Sequence, residues 1–197
     1  IPLRLVGSEM CIRDSCSGIE KQKDKPLKKV SINMVTHGQA TDPFWSVVSN
    51  GAKDAAKELG IDFYYQSPQN FDMITMSQII DAVVSTNPDG IIVSVPDVAA
   101  LKKSILAASK KNIPIIVINA GSEIMEEVDI LTYVGQSEYE AGMKAAKELI
   151  KYNITTALCV NHEIGNISLD KREQGFRKIL KENNIDVKTI PIDASDP

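Results

Sequence analysis

Cysteine, histidine and tryptophan are scarce in this chain. Its 197 residues include three cysteines, two histidines and a single tryptophan. Cys11, Cys16 and Cys159 are too few and too scattered for a disulfide framework or a zinc site. Cys159 sits in an apolar run and reads as a small core residue. His37 and His162 lie far apart and show no metal-ligand spacing. No uninterrupted apolar run is long enough for a transmembrane helix. An excess of one charge is lacking too. The 22 Lys and Arg and 26 Asp and Glu leave a net charge of −4. The two signs are interspersed, which speaks against a nucleic-acid partner. Nucleotide and nucleophile signatures are missing: there is no G-x-G-x-x-G, no G-x-x-x-x-G-K-[ST] and no Gly-x-Ser-x-Gly elbow. The expectation is no metal, no cofactor and no catalytic residue.

What is present is an ordinary globular composition, 43% hydrophobic, with room for one large domain or two small ones. Residues 1–15, "IPLRLVGSEMCIRDS", have no periodicity, and their apolar stretch is too short for a secretory core. They resemble translated adapter read-through and read as a non-native leader. Residues 16–28 read as a polar, lysine-rich tether. A Cys after a small residue and before such a tether resembles the start of a mature bacterial lipoprotein. Cys16 is equally explained as an accident of the junction.

From residue 29 the pattern is regular. Apolar, β-branched runs fall at 30–35, 61–65, 90–95, 114–119, 130–135 and 156–161. A further strand is predicted at 187–190. Helical stripes lie between most of them. Val48, Ala52, Ala55, Ala56 and Leu59 form the first, and Met76, Ile79, Ile80, Val83 and Val84 the second. Val98, Leu101, Ile105 and Ala108 form the third. Further helices are predicted at 138–151 and 168–182. Strands apolar on both faces, alternating with amphipathic helices, predict an α/β fold with parallel sheets covered on both sides. The chain stops at "PIDASDP", where another loop and helix are expected, which reads as truncation.

In such folds ligands bind beyond the carboxyl ends of the strands. The first strand is followed there by His37, Gln39, Asp42, Phe44 and Trp45, and the third by Pro96 and Asp97. Asn119, Gly121 and Ser122 follow the fourth, and Gln136, Ser137 and Glu138 the fifth. Asn161, His162, Glu163, Asn166 and Asp170 follow the sixth. Amides, hydroxyls, single charges and aromatic rings suit a polyhydroxylated ligand, because each sugar hydroxyl both donates and accepts. Charged partners strengthen such bonds roughly twofold. Two large rings at the mouth of a helix need something to pack on, either the core or a ligand. Arg172 falls on the apolar stripe of Leu169, Phe176, Ile179 and Leu180, where a cation needs a partner. A ligand would serve, and so would Asp170 or Glu173.

From residue 29 onward the chain resembles the periplasmic sugar-binding proteins of ABC transporters, in the ribose- and galactose-binding class. The carrying stretches are "MVTHGQATDPFWSVVSNGAKDAAKELG", "NPDGIIVSVPD", "IPIIVINAG", "YVGQSEYEAG" and "REQGF". The resemblance implies a two-lobed clamp, each lobe a doubly wound parallel sheet. A first lobe over 29–135 and a partial second lobe over 136–197 would follow, with the first crossing near Gly135 and Gln136. It implies that Phe44 and Trp45 sandwich a sugar ring, although Phe44 would also serve as an inward helix staple. It implies that Asp42, Asn119 and Arg172 bond the ligand. Asn119-Ala120 stands where the family often has Asp-Arg. With His37, Gln39, Gln136 and Asn161 these form the candidate site. The implied partners are a monosaccharide or polyol and an ABC transporter permease, with the protein monomeric and periplasmic or on the cell surface. Membrane contact would come only through lipid on Cys16.

Two other readings share the fold class. The effector domain of a LacI-like regulator would need a helix-turn-helix of about fifty residues before residue 29. An α/β sugar-processing enzyme would need an acid/base pair, for which Asp42 with Glu163 is the one candidate.

Overall fold

A computed structural model describes residues 29–38 and 41–192. The leader, the tether with Cys16, and the expected site residue Gln39 lie outside the described residues. The element order is β1 (Ser31–Val35), α1 (Pro43–Leu59), β2 (Asp62–Gln66), α2 (Met73–Ser85), β3 (Gly90–Val93), α3 (Val98–Lys110) and β4 (Ile115–Asn119). A 3-10 helix (Ser122–Glu126), β5 (Thr132–Gly135), α4 (Glu138–Ile150), β6 (Thr156–Asn161), α5 (Ile167–Glu182) and β7 (Asp186–Pro191) follow.

Local chemistry sets these boundaries. Each α-helix opens on a short polar side chain that accepts backbone N–H bonds: Asp42, Asp72, Asp97, Ser137 and Asn166. Such caps satisfy donors that the first turn leaves unpaired. Beyond each helix end the chain turns through a left-handed residue: Gly60, Asn87, Asn112, Asn153 or Asn184. Gly and Asn tolerate that conformation best.

The strands build two parallel sheets. Five strands run in the order β2-β1-β3-β4-β5, and β6 pairs with β7 separately. The order reverses at β1, so right-handed crossovers place α1 on one face and α2 and α3 on the other. The larger core lies under α2 and α3: Met76, Ile80, Leu101 and Ile105 pack on Ile91, Val93, Ile115 and Val117. These are the second and third predicted stripes.

The first stripe is shifted. Trp45, Ser49 and Ala56 are the buried residues of α1, while Leu59 is 72% exposed. Trp45 anchors the helix and sets its rotation, so the inward face runs through residues four and eleven positions later. The smaller sheet also departs from expectation. Ala146, Phe176, Ile179 and Leu180 cover Ala157 on one face. The alternate residues Leu158, Val160 and Ile190 are exposed.

Candidate functional site

The reversal of strand order between β1 and β3 opens a crevice at their carboxyl ends. His37 follows β1 and Ser94 follows β3. The His37 N–H donates to Ser94 Oγ at 2.9 Å, and Nδ1 lies 2.8 Å from the same oxygen. Ser94 is fully buried, so its hydroxyl hydrogen needs an acceptor, and Nδ1 supplies it. This network assigns the proton of the neutral ring to Nε2. Burial, aided by the charge of His162, pushes the His37 pKa down to about 4. His37 is therefore a neutral donor at pH 7.

The aromatic residues surround this imidazole. Trp45 meets His37 edge-on at 5.0 Å and Phe71 does so at 5.9 Å. Trp45 is 5% exposed, whereas Phe44 is 55% exposed. The two rings sit perpendicular to each other at 5.1 Å. A Cβ on Gly38 would lie 1.8 Å from Trp45 Nε1, so the loop before α1 needs glycine to seat the indole. Thr36, Tyr65 and the Gly38 carbonyl bond one another beside it. Asp42 Oδ1 accepts from the N–H groups of Phe44 and Trp45.

The second lobe meets the first along the β6–α5 connection. Asn161 Oδ1 accepts from the Glu163 N–H, and Asn166 Nδ2 holds Glu163 Oε2 at 2.7 Å. That oxygen faces His37 Nε2 across 3.8 Å, beyond hydrogen-bond range. The Ile167 N–H donates to the Pro96 carbonyl at 3.1 Å. One turn on, Lys171 bonds Glu123 of the 3-10 helix.

Beside that ion pair lies a cleft of about 330 Å³. The first lobe contributes Ser122, Glu123 and Tyr133, and α5 contributes Ser168, Lys171 and Gln174. Gln136, Ser137, Glu138 and Tyr139 line it from the crossing between lobes. Gly121, a left-handed residue two positions after left-handed Asn119, also lines it. A Cβ on Gly121 would lie 2.4 Å from the Val95 carbonyl oxygen. Tyr133 Oη donates to the Asn119 carbonyl at 2.6 Å and lies 3.2 Å from that of Gln136, tying β4 to the crossing. Burial, with Glu138 and Glu123 nearby, raises the Tyr133 pKa. Glu138 is buried. It accepts from Gln136 Nε2 at 3.2 Å and from Arg172 Nε at 2.5 Å.

The predicted site residues thus separate. His37, Asp42, Phe44 and Trp45 share the β1 loop, with Asn161 two residues before the facing Glu163. Gln136 lines the cleft, and Asn119 ends β4 two residues before the lining Gly121. Three expectations are corrected. Trp45 is enclosed by His37 and Gly38, so Phe44 is the exposed ring of the pair. Phe44 is no inward staple. Arg172 pairs with Glu138, not with Asp170 or Glu173, and its side chain is 47% exposed instead of inward. The helix α5 is rotated so that Gly175 and Phe176 face α4.

Sequence reasoning missed Ser94, Phe71, Glu123, Tyr133 and Lys171. Ser94 and Tyr133 were read as strand and Lys171 as helix, and Phe71 and Glu123 carry no local signal. Among the described residues no cluster of three or more His, Cys, Asp or Glu fits a metal ion. No described helix is long and apolar enough to cross a membrane.

Residues 32–197 match the family described as "Periplasmic binding protein domain". No curated protein matches the chain. Among solved structures, an ABC sugar transporter periplasmic sugar-binding protein from Legionella pneumophila is 29% identical with a TM-score of 0.80. The match covers 84% of this chain and 61% of that one. A carbohydrate transporter from Acidothermus cellulolyticus 11B, in complex with myo-inositol, is 30% identical with a TM-score of 0.79. There the coverage is 85% of this chain and 57% of the other. A glucose-galactose binding protein from Geobacillus stearothermophilus is 25% identical, with a TM-score of 0.73 and coverage of 86% and 60%. The chain therefore spans about 60% of the length of these solved relatives.

Proposed function

The chain belongs to the periplasmic binding protein family, and from that premise we propose that the whole protein captures a simple sugar or polyol between its lobes. It delivers that solute to an ABC transporter permease, working as a monomer in the periplasm or at the cell surface. It is a binding protein and catalyses no reaction. The observation that carries this reading is the interlobe cleft. Its volume lies within the range of about 300–1,000 Å³ usual for small-molecule sites. Its lining of hydroxyls, amides and paired charges matches a ligand made of hydroxyl groups. The sugar-binding relatives and the myo-inositol complex support the same class of ligand.

Within this reading Gln136 bonds a ligand hydroxyl, and the left-handed Asn119 helps turn the chain toward Gly121 in the lining. Exposed Phe44 offers a ring face at the crevice, while Trp45 supports it from beneath. Asp42 holds the loop by capping α1. Arg172 has its Nε committed to Glu138, and its terminal nitrogens bond no described residue. Arg172 itself is not among the residues that line the cleft.

A thermal-shift screen of the full-length protein against pentoses, hexoses and polyols tests the proposal. A true ligand at 100 times its dissociation constant adds about 2.7 kcal/mol of stability. A screen in which no sugar or polyol raises the transition would remove the reading.

A further inference from the structure

The charges in the cleft are cancelled pair by pair. Three charged side chains line it: Glu123, Glu138 and Lys171. Lys171 Nζ is bonded to Glu123 Oε1, and Glu138 Oε2 is bonded to Arg172 Nε. The second carboxylate oxygen of Glu138 is taken by Gln136, and Ser122 Oγ donates to Glu123 Oε1 at 3.3 Å. The other polar residues of the lining that could meet a ligand are neutral: Gln136, Ser137, Tyr139, Ser168 and Gln174.

The Glu123–Lys171 pair differs from the other in one respect. Its members stand 48 residues apart, one on the 3-10 helix of the first lobe and one on α5 of the second. The pair forms only with the lobes together. An anionic ligand would have to compete with Glu123 for Lys171 in this cleft. It would then share the space with two carboxylates, Glu123 and Glu138, and like charges disfavour one another strongly in a partly dry site.

Resting on the sugar-binding reading, we propose that Glu123 is a specificity-determining residue. By holding Lys171 across the two lobes it shuts the cleft to sugar acids and leaves it open to neutral polyols. Burial alone would raise the Glu123 pKa, but the bond and charge of Lys171, with its own backbone N–H and Ser122, outweigh it. The net shift is downward, so the carboxylate is charged at neutral pH.

The test is calorimetry on the full-length protein with matched ligand pairs: D-galactose and D-galacturonate, D-glucose and D-glucuronate, myo-inositol and myo-inositol 1-phosphate. Wild type is expected to prefer the neutral member at least 100-fold. Glu123→Gln keeps the shape and releases Lys171, so that preference should narrow at least tenfold. Adding Lys171→Gln should restore it. Lys171→Met works from the other side and should gain at least tenfold for D-galactosamine over D-galactose, which keeps the question answerable if Glu123→Gln does not fold. A folded Glu123→Gln with an unchanged ratio would overturn the assignment alone, as would wild type binding acid and neutral sugar equally. Wild type binding no neutral member would overturn the sugar-binding reading, and this inference with it.

Discussion

His37 shows what a single buried side chain contributes. Its ring stays neutral because burial removes water from it, and Ser94 fixes its tautomer. The sign of the linkage follows. The unfolded residue titrates near 6.5 and the folded one near 4. Between these values the unfolded chain binds more protons, so stability rises with pH across the window. The contribution is complete above pH 6.5 and is lost as pH falls toward 4. At about 1.4 kcal/mol per unit this amounts to about 3 kcal/mol. Urea titrations at pH 4.5 and 7 should show the difference, and His37→Gln should flatten most of it. An equal pH slope in that variant would assign the effect to other groups. Arg172 makes the second residue-scale case. Arg172→Ala leaves buried Glu138 without its cation, and the arginine is half exposed, so water screens part of the loss. A loss of about 1–2 kcal/mol in unliganded stability is expected in chemical denaturation. A variant as stable as wild type would mean that Glu138 finds another partner.

At the scale of elements, glycine positions separate close packing from open surface. A Cβ on Gly142 would lie 1.9 Å from the Arg172 carbonyl oxygen, and one on Gly175 would lie 2.0 Å from that of Tyr139. The backbones of α4 and α5 touch there, so Gly175→Ala must push two helices apart. Overpacking of this kind costs about 1–3 kcal/mol, and circular-dichroism melts should show it as a lowered transition. Gly51 lies inside α1 with nothing within 4 Å of its added Cβ. There Gly51→Ala should stabilise by about 0.5–1 kcal/mol, since alanine loses less backbone freedom in a helix. If both variants shift the melt the same way, the helix contact is not as close as the structure has it.

For the whole molecule, the two sheets differ in cover. The five-stranded sheet is packed under α2 and α3, and its central strands β1, β3 and β4 each carry buried residues. The β6–β7 pair has helices on one face and exposed Leu158, Val160 and Ile190 on the other. Hydrogen exchange on this 197-residue chain should therefore find β3 and β4 amides the slowest, and β6 and β7 amides faster. Uniform protection across both sheets would contradict that ranking. The lobes meet through His37 and Glu163, Ile167 and Pro96, and Lys171 and Glu123. All three contacts draw on the β6–α5 connection or the first turn and a half of α5.

Much of this was legible in the sequence, because it depends on neighbours along the chain. Short β-branched apolar runs become strands, stripes at three and four become helices, and Asp, Ser and Asn mark where helices begin. The Met76 and Leu101 stripes were read correctly since a helix with one apolar face has one way to bury it. The α1 stripe was misread because Trp45, a residue assigned to a ligand, outweighed Leu59 in setting the rotation. Loop residues such as Gln136 were findable from their place after a strand. Their partners were not. The bonds of Arg172 to Glu138 and Lys171 to Glu123 join residues 34 and 48 positions apart. Which carboxylate a cation on α5 reaches depends on how that helix is rotated, and the Gly142–Gly175 contact sets the rotation. Sequence determined the elements, since their hydrogen bonds and capping are local. Only the tertiary structure decided the charge pairing of the cleft, since a few ångströms between separate elements choose among partners that spacing leaves equal.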